Sequence, residues 1–229
     1  KSASLDSTTS FPIVIGAGGA GQISNSTPGN IGNNTTIDST YLVTNGGGFG
    51  GGGGNNSVGN GGPGGSGGGA HPSSNPVNGV GGTADAGTNE DLGYANAGGD
   101  GYGTTDRTVN AAGGGGGSGF AGANGVSGNG GNGGDGSSAY ATWLSAITSA
   151  MSSVSGWSTA TTNGKIAGGG GGAGATVGDG GDGGGSSAII GNDTTSSDNG
   201  VSNTGGGSGG STQITFNGLT APTGNGGSG

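Results

Sequence analysis

Between residues 128 and 136 the chain reads GNGGNGGDG, so Asn129, Asn132 and Asp135 recur at every third position with paired glycines between them. A period of three fits neither a pleated strand, whose faces alternate every two residues, nor an α-helix, whose faces recur at 3.6. It fits an extended polyproline-II-type helix, with 3 residues per turn, about 3.1 Å rise and no internal hydrogen bonds. The same register lines up Asn60, Pro63 and Ser66, and pairs Asp179 with Asp182, Ser208 with Ser211 and Asn225 with Ser228. Every N–H and C=O of such a helix points outward and needs a partner, because a buried unpaired peptide group costs about 1–3 kcal/mol. Neighbouring helices can supply partners only if their backbones touch, which a Cβ on the facing edges would prevent and glycine allows. The triplets therefore read as two glycine edges turned inward and one polar edge turned to solvent.

Glycine fills 71 of the 229 positions, and its tracts (46–54, 59–69, 98–103, 113–119, 128–136, 168–185, 205–210 and 224–229) alternate with ordinary polar segments. Only 25% of the chain is hydrophobic and cysteine is absent, so a conventional oily core and disulfides are both out of reach. The expected fold is mostly irregular by standard classes: a packed array of polyglycine-II-type helices, with one α-helix at about 138–155 and a few short strands. Residues 1–15 read as an N-terminal attachment or linker segment, and 16–229 as one glycine-rich domain with inserted loops and the helix. The purest tracts, GGGFGGGGG from Gly46 and GGGGGSG from Gly113, are expected where most edges are covered. Collagen is excluded, since the chain has 6 prolines and its triplets are interrupted. Composition alone leaves disorder as a rival. A β-solenoid would need β-branched or aromatic alternation that the tracts lack.

Conventional elements are few. In SAYATWLSAITSAMSSVS, residues 138–155, Tyr140, Leu144, Ile147, Met151 and Val154 share one helical face, with Ser137 or Ser138 as cap and Gly156 as terminator. This helix is expected to cover one side of the array, with docking of a partner as the sharper alternative. Apolar runs at Phe11–Ile15, Tyr41–Val43 and Gln213–Phe216 read as strands or edge segments.

The formal net charge is −9, and the cations are Lys1, Arg107 and Lys165, which opposes binding to nucleic-acid phosphates or to an anionic membrane surface. No apolar run approaches the roughly 20 residues that span a bilayer. Gly16, Gly18 and Gly21 satisfy the dinucleotide fingerprint, but QISNSTPGN follows them and cannot form the helix that would hold a pyrophosphate. GGNGGDG and GDGGDGG resemble calcium-binding nonapeptide repeats without their aliphatic position, so Asp135, Asp179 and Asp182 read first as a solvated edge. His71 has no serine or carboxylate at a triad spacing, and Glu90 and Asp91 are adjacent loop acids rather than a separated pair. Sequons at Asn25, Asn34, Asn55 and Asn192 are expected by chance in this composition. No catalytic residue, cofactor or metal site is expected, and the chain reads as non-enzymatic.

The rhythm of tracts 46–69, 113–136 and 167–187, separated by polar loops, resembles the glycine-rich receptor-binding adhesins at the distal tips of T-even-like phage long tail fibres. YLVTNGGGFGGGGG and KIAGGGGGAGATVGDGGDGGG are similar also to glycine-rich domains of phage and marine bacterial surface proteins. The resemblance implies a rigid scaffold on a virion or extracellular surface whose loops (71–97, 104–110, 157–166, 188–203 and 212–223) recognise a host-surface protein or glycan. Tyr94, Arg107, Trp157 and Phe216 are the receptor-binding candidates in those loops, because aromatics and arginine dominate interface hot spots. Those adhesins carry a separate attachment region before the glycine-rich part, whereas about fifteen residues precede the first glycine motif here. That favours a second expectation, a subunit of an extracellular filament or sheath that joins copies of itself through TTSFPIVI by strand addition, with Phe11, Ile13 and Ile15 as assembly candidates. Ice binding would need a regular Thr or Ala face, and the outward triplet positions are Asn, Asp and Ser.

Overall fold

The structure, a computed structural model, describes residues 10–21, 28–38, 42–51, 59–71, 79–85, 87–88, 94–104, 109–190 and 199–212. Most of them belong to neither helix nor strand. Strand β1 (Ile13–Val14), β2 (Thr35–Ile37), β3 (Leu42–Thr44) and β4 (Gly87–Thr88) form an antiparallel sheet in that order. Ile13 pairs with Ile37, Thr36 with Val43, and Val43 with Thr88. The β-branched triple Thr35-Thr36-Ile37 suits a half-buried pleated surface, and Asp38 after it adopts φ 50°, a left-handed conformation that aspartate tolerates. The expected strand at 11–15 is thus realised over 13–14 and that at 41–43 over 42–44, while 213–216 lies outside the described residues. β1 ties residues 13–14 to the folded body, so the boundary expected after residue 15 follows a strand of this sheet.

Elsewhere the chain runs in straight rows that bond sideways. Hydrogen bonds to a given neighbour recur in steps of three: Gly61 and Gly64 donate to Val80 and Thr83, and Gly130, Gly133 and Gly136 to Thr176, Asp179 and Asp182. A pleated ladder would repeat every second residue. Neighbouring rows run either way. Gly169 and Gly172 donate to Gly134 and Gly131, an antiparallel sense, whereas Gly207 and Gly210 donate to Gly168 and Gly171, a parallel one.

Side-chain space follows the same step. A Cβ at Gly61, Gly62, Gly64, Gly65, Gly67 or Gly68 would fall less than 3.0 Å from a neighbouring atom, mostly backbone carbonyl, while Asn60 and Pro63 between them are exposed. The row 168–174 is buried throughout and bonds to rows at 112–115, 131–134, 178–186 and 207–210. Residues 113–117 are largely buried as well, which meets the expectation for GGGGGSG. The expectation for GGGFGGGGG is not met over its described part, 46–51. A Cβ at Gly47 would meet nothing within 4 Å, and at Gly50 only one carbonyl oxygen at 4.0 Å, so this row lies at the rim with one edge open.

The helix expected at 138–155 is shorter and broken. Helix α1 spans Ala141–Ile147, wound turns follow, and α2 spans Trp157–Ala160. Neither Ser137 nor Ser138 caps α1; its N-cap is Tyr140, without a side-chain cap bond. Thr148 Oγ1 donates to the Leu144 carbonyl at 2.7 Å and Ser145 Oγ to that of Thr142, local bonds that compete with continued helix. After Ile147 the Ser152 and Val154 amides bond three residues back rather than four, which rotates the apolar stripe. Leu144 is buried and Met151 and Val154 are half-buried, but Ile147 is exposed. Gly156, expected as the terminator, lies well past the end of α1, which closes at Thr148, and is instead the N-cap of α2, at φ 78°. A short parallel pair, β5 (Ile189–Ile190) with β6 (Ser211–Thr212), completes the described fold.

Candidate functional site

The row that begins at Tyr94 is fixed between two others: Gly67 donates to the Asn96 carbonyl, Gly122 to that of Ala97, and Asn96 Nδ2 to the Gly117 carbonyl at 2.9 Å. The row 129–136 runs on into α1 through a polar clasp in which Ser118 Oγ accepts from the Ser137 amide at 2.7 Å and donates to the Ile166 carbonyl at 2.8 Å. These two anchors bring Tyr94 against Tyr140, with ring centroids 5.7 Å apart and planes inclined by 58°. One helical turn on, Trp143 lies 5.5 Å from Tyr140 at 41°. The spacings and tilts are those of attractive aromatic pairs, yet Trp143 is 71% exposed. The result is a stepped aromatic surface carried by the row that begins at Tyr94 and by the first turn of α1.

A second recurrent feature concerns the polar triplet positions. Asn132 Oδ1 accepts from the Asp179 amide, Asp135 Oδ1 from Asp182, Asn124 Oδ1 from Asp100, Asp100 Oδ1 from Gly81 and Asn60 Oδ1 from Val80, at 2.8–3.0 Å. The outward residues are therefore more than solvated. Each turns back to satisfy a backbone N–H of the adjacent row. Lys165 Nζ closes this edge, donating to Asp135 at 2.7 Å and Asp182 at 3.0 Å, while Asn163 Nδ2 donates to Asp182 at 2.9 Å. The hydrogen bonds to Asp135 and then Asp182 raise the Lys165 pKa, and those from Lys165 and then Asn163 lower that of Asp182.

Of the receptor-binding candidates, Tyr94 lies in the aromatic step, and Arg107 and Phe216 lie outside the described residues. Trp157 is 3% exposed at the start of α2 and out of reach of an external ligand; its indole N–H has no acceptor among the described residues. Trp157 opens α2 directly after the N-cap Gly156, which adopts φ 78° beside Val201. Trp143 escaped the sequence reading and Tyr140 was assigned only to the covered apolar face of the helix, although an aromatic pair at i, i+3 on a helix is a recognisable signal. Of the assembly candidates, Phe11 is half-buried and Ile13 and Ile15 are 62% and 58% exposed. Gly16 to Gly21 of the fingerprint run extended, the Ala17 and Ala20 carbonyls accepting from Asn33 and Asn30, with no helix after them among the described residues. Glu90 and Asp91 are not described, and among the described residues no cluster of acids or His71 has a metal-holding arrangement. No described helix is long and apolar enough to cross a membrane.

Compared with known proteins, the chain matches no family model, no curated protein and no solved structure.

Proposed function

We propose that the rows are polyglycine-II-type helices packed as a lattice, and that the protein is a non-enzymatic structural and adhesive component of a virion fibre, outside the cell, whose loops bind a host-surface receptor. The observation that carries the lattice is the lateral hydrogen bonding in steps of three, together with glycines that leave no room for a Cβ on the shared edges. Pleated backbone would bond in steps of two. An adhesive role follows from what such a body is good for. A lattice without rotatable side chains on its inner edges loses little entropy when a ligand docks on it, so exposed residues at its rim are pre-organised. The resemblance to phage tail-fibre tips points the same way, and the acidic charge balance leaves nucleic acid and anionic membranes as poor partners. The test is electron microscopy of intact particles with the chain tagged. A label at the distal fibre tip, with purified chain competing for adsorption to susceptible cells, supports the reading; a label absent from fibres refutes it.

One observation favours the alternative of a self-assembling filament or sheath subunit. β1 is an edge strand; its Ile13 and Val14, and Ile15 just after it, are 62%, 59% and 58% exposed. An unprotected apolar edge is a template for strand addition. Sedimentation separates the readings: a filament subunit polymerises and Ile13→Lys abolishes it, whereas a tip adhesin stays small with or without that change.

A further inference from the structure

Resting on the receptor-binding reading, we infer that the Tyr94–Tyr140–Trp143 step is a binding site for a neutral glycan chain. Three features select that occupant. Successive rings stand 5.7 and 5.5 Å apart with planes inclined by 58° and 41°, and from the half-buried Tyr94 and Tyr140 to the open Trp143 they form a run of rings against which sugar rings can lay an apolar face while their hydroxyls stay in water. Tyrosine and tryptophan suit this, offering rigid apolar area with a polar tip at low entropic cost. The charge balance then discriminates. Lys165 is the sole lysine or arginine among the described residues and is held by Asp135 and Asp182, so a uronate or phosphorylated glycan meets a chain of net charge −9 with no described cation to receive it. A quaternary ammonium group is the competing ligand for aromatic rings, but it needs a cage that strips its water from several sides, and a Trp143 that is 71% exposed forms a step rather than a cage.

The two tryptophans differ in exposure, Trp143 open and Trp157 buried, so fluorescence of the full chain reports on the step directly. Linear neutral oligosaccharides (glucan, mannan and N-acetylglucosamine oligomers), oligogalacturonate and choline are titrated in turn. The expected result is quenching by a neutral series and none by oligogalacturonate or choline. Binding read by calorimetry should fall at least about tenfold in Trp143→Ala and Tyr94→Ala and be largely retained in Trp143→Phe. Thermal unfolding of Trp143→Ala at the wild-type temperature confirms that the fold is intact. Choline or galacturonate binding more tightly than every neutral oligomer, no response to any neutral oligomer, or undiminished neutral binding in Trp143→Ala overturns the inference. If Trp143→Ala still competes for cell adsorption, the adhesive reading survives and only the glycan site is lost.

Discussion

Two stretches of nearly identical sequence, GGGFGG at 46–51 and GGGGGAG at 168–174, occupy opposite situations. In the second every position is buried, and at Gly168 to Gly172 a Cβ would collide with carbonyls of other rows. In the first, Gly47 and Gly50, three residues apart, look out of the body into open space. A glycine run therefore does not by itself fix tolerance: Gly47 and Gly50 have room for a Cβ that Gly168 to Gly172 lack. What makes a glycine indispensable here is the number of neighbours its row acquires, and that number is set by segments far away in the chain.

This contrast can be broken from either side. The largest effect is expected for Gly170→Ala, whose Cβ would land on the Ser208 carbonyl. Because no flexible side chain there can yield, the row must separate, and the loss should reach the exceptional range above about 4 kcal/mol, seen as loss of the cooperative thermal transition. A mild effect would mean that the rows are loosely seated. Next, Asn132→Ala removes the acceptor of the Asp179 amide and should cost about 1 kcal/mol, while Asn132→Asp, which keeps an acceptor oxygen, should cost less; both are read from denaturant midpoints. Equal losses would show that the side-chain cap contributes nothing. At the rim, Gly47→Ala should stabilise by about 0.4–1 kcal/mol, since it restricts the unfolded chain without touching a neighbour. Destabilisation there would show the edge to be covered after all.

The smallest effect concerns the exposed Lys165 clasp. The lowered Asp182 pKa means that its contribution is present above the ordinary carboxylate value of 3.8 and disappears as pH falls through the lowered folded value. The raised Lys165 pKa gives the opposite flank, a contribution present below 10.5 and lost as pH rises through the folded value. Stability of the wild type relative to Lys165→Met should therefore show a shallow plateau between those limits and vanish at both ends, small throughout because exposed ion pairs are worth little.

Much of the architecture was legible because rows such as 129–136 carry polar side chains on their outward edge, so Asn129, Asn132 and Asp135 mark the period. Which tract lies inside was not legible. Gly47 and Gly170 both sit within glycine runs, and what separates them is the set of rows packed against each. Ser145 and Thr148 could have warned that α1 stops early, since their hydroxyls bond back to the helix carbonyls. At the candidate site, Tyr94 was legible by residue type alone. Trp143 was not, because the helical face was drawn through Tyr140, Leu144 and Ile147, and the residue off that face looked like mere surface. Trp157 misled for the converse reason: read as a loop residue, it is buried at the start of α2.

The rows accept neighbours running in either direction, as the pairs 169 with 134 and 207 with 168 show. A body built this way has no polarity to respect. A connection of even or odd number of passes, short or long, returns the chain to an equally usable seat, so one connecting segment can be exchanged for another without re-registering the rest. Such a scaffold is suited to rapid replacement of its connecting segments while its interior stays unchanged.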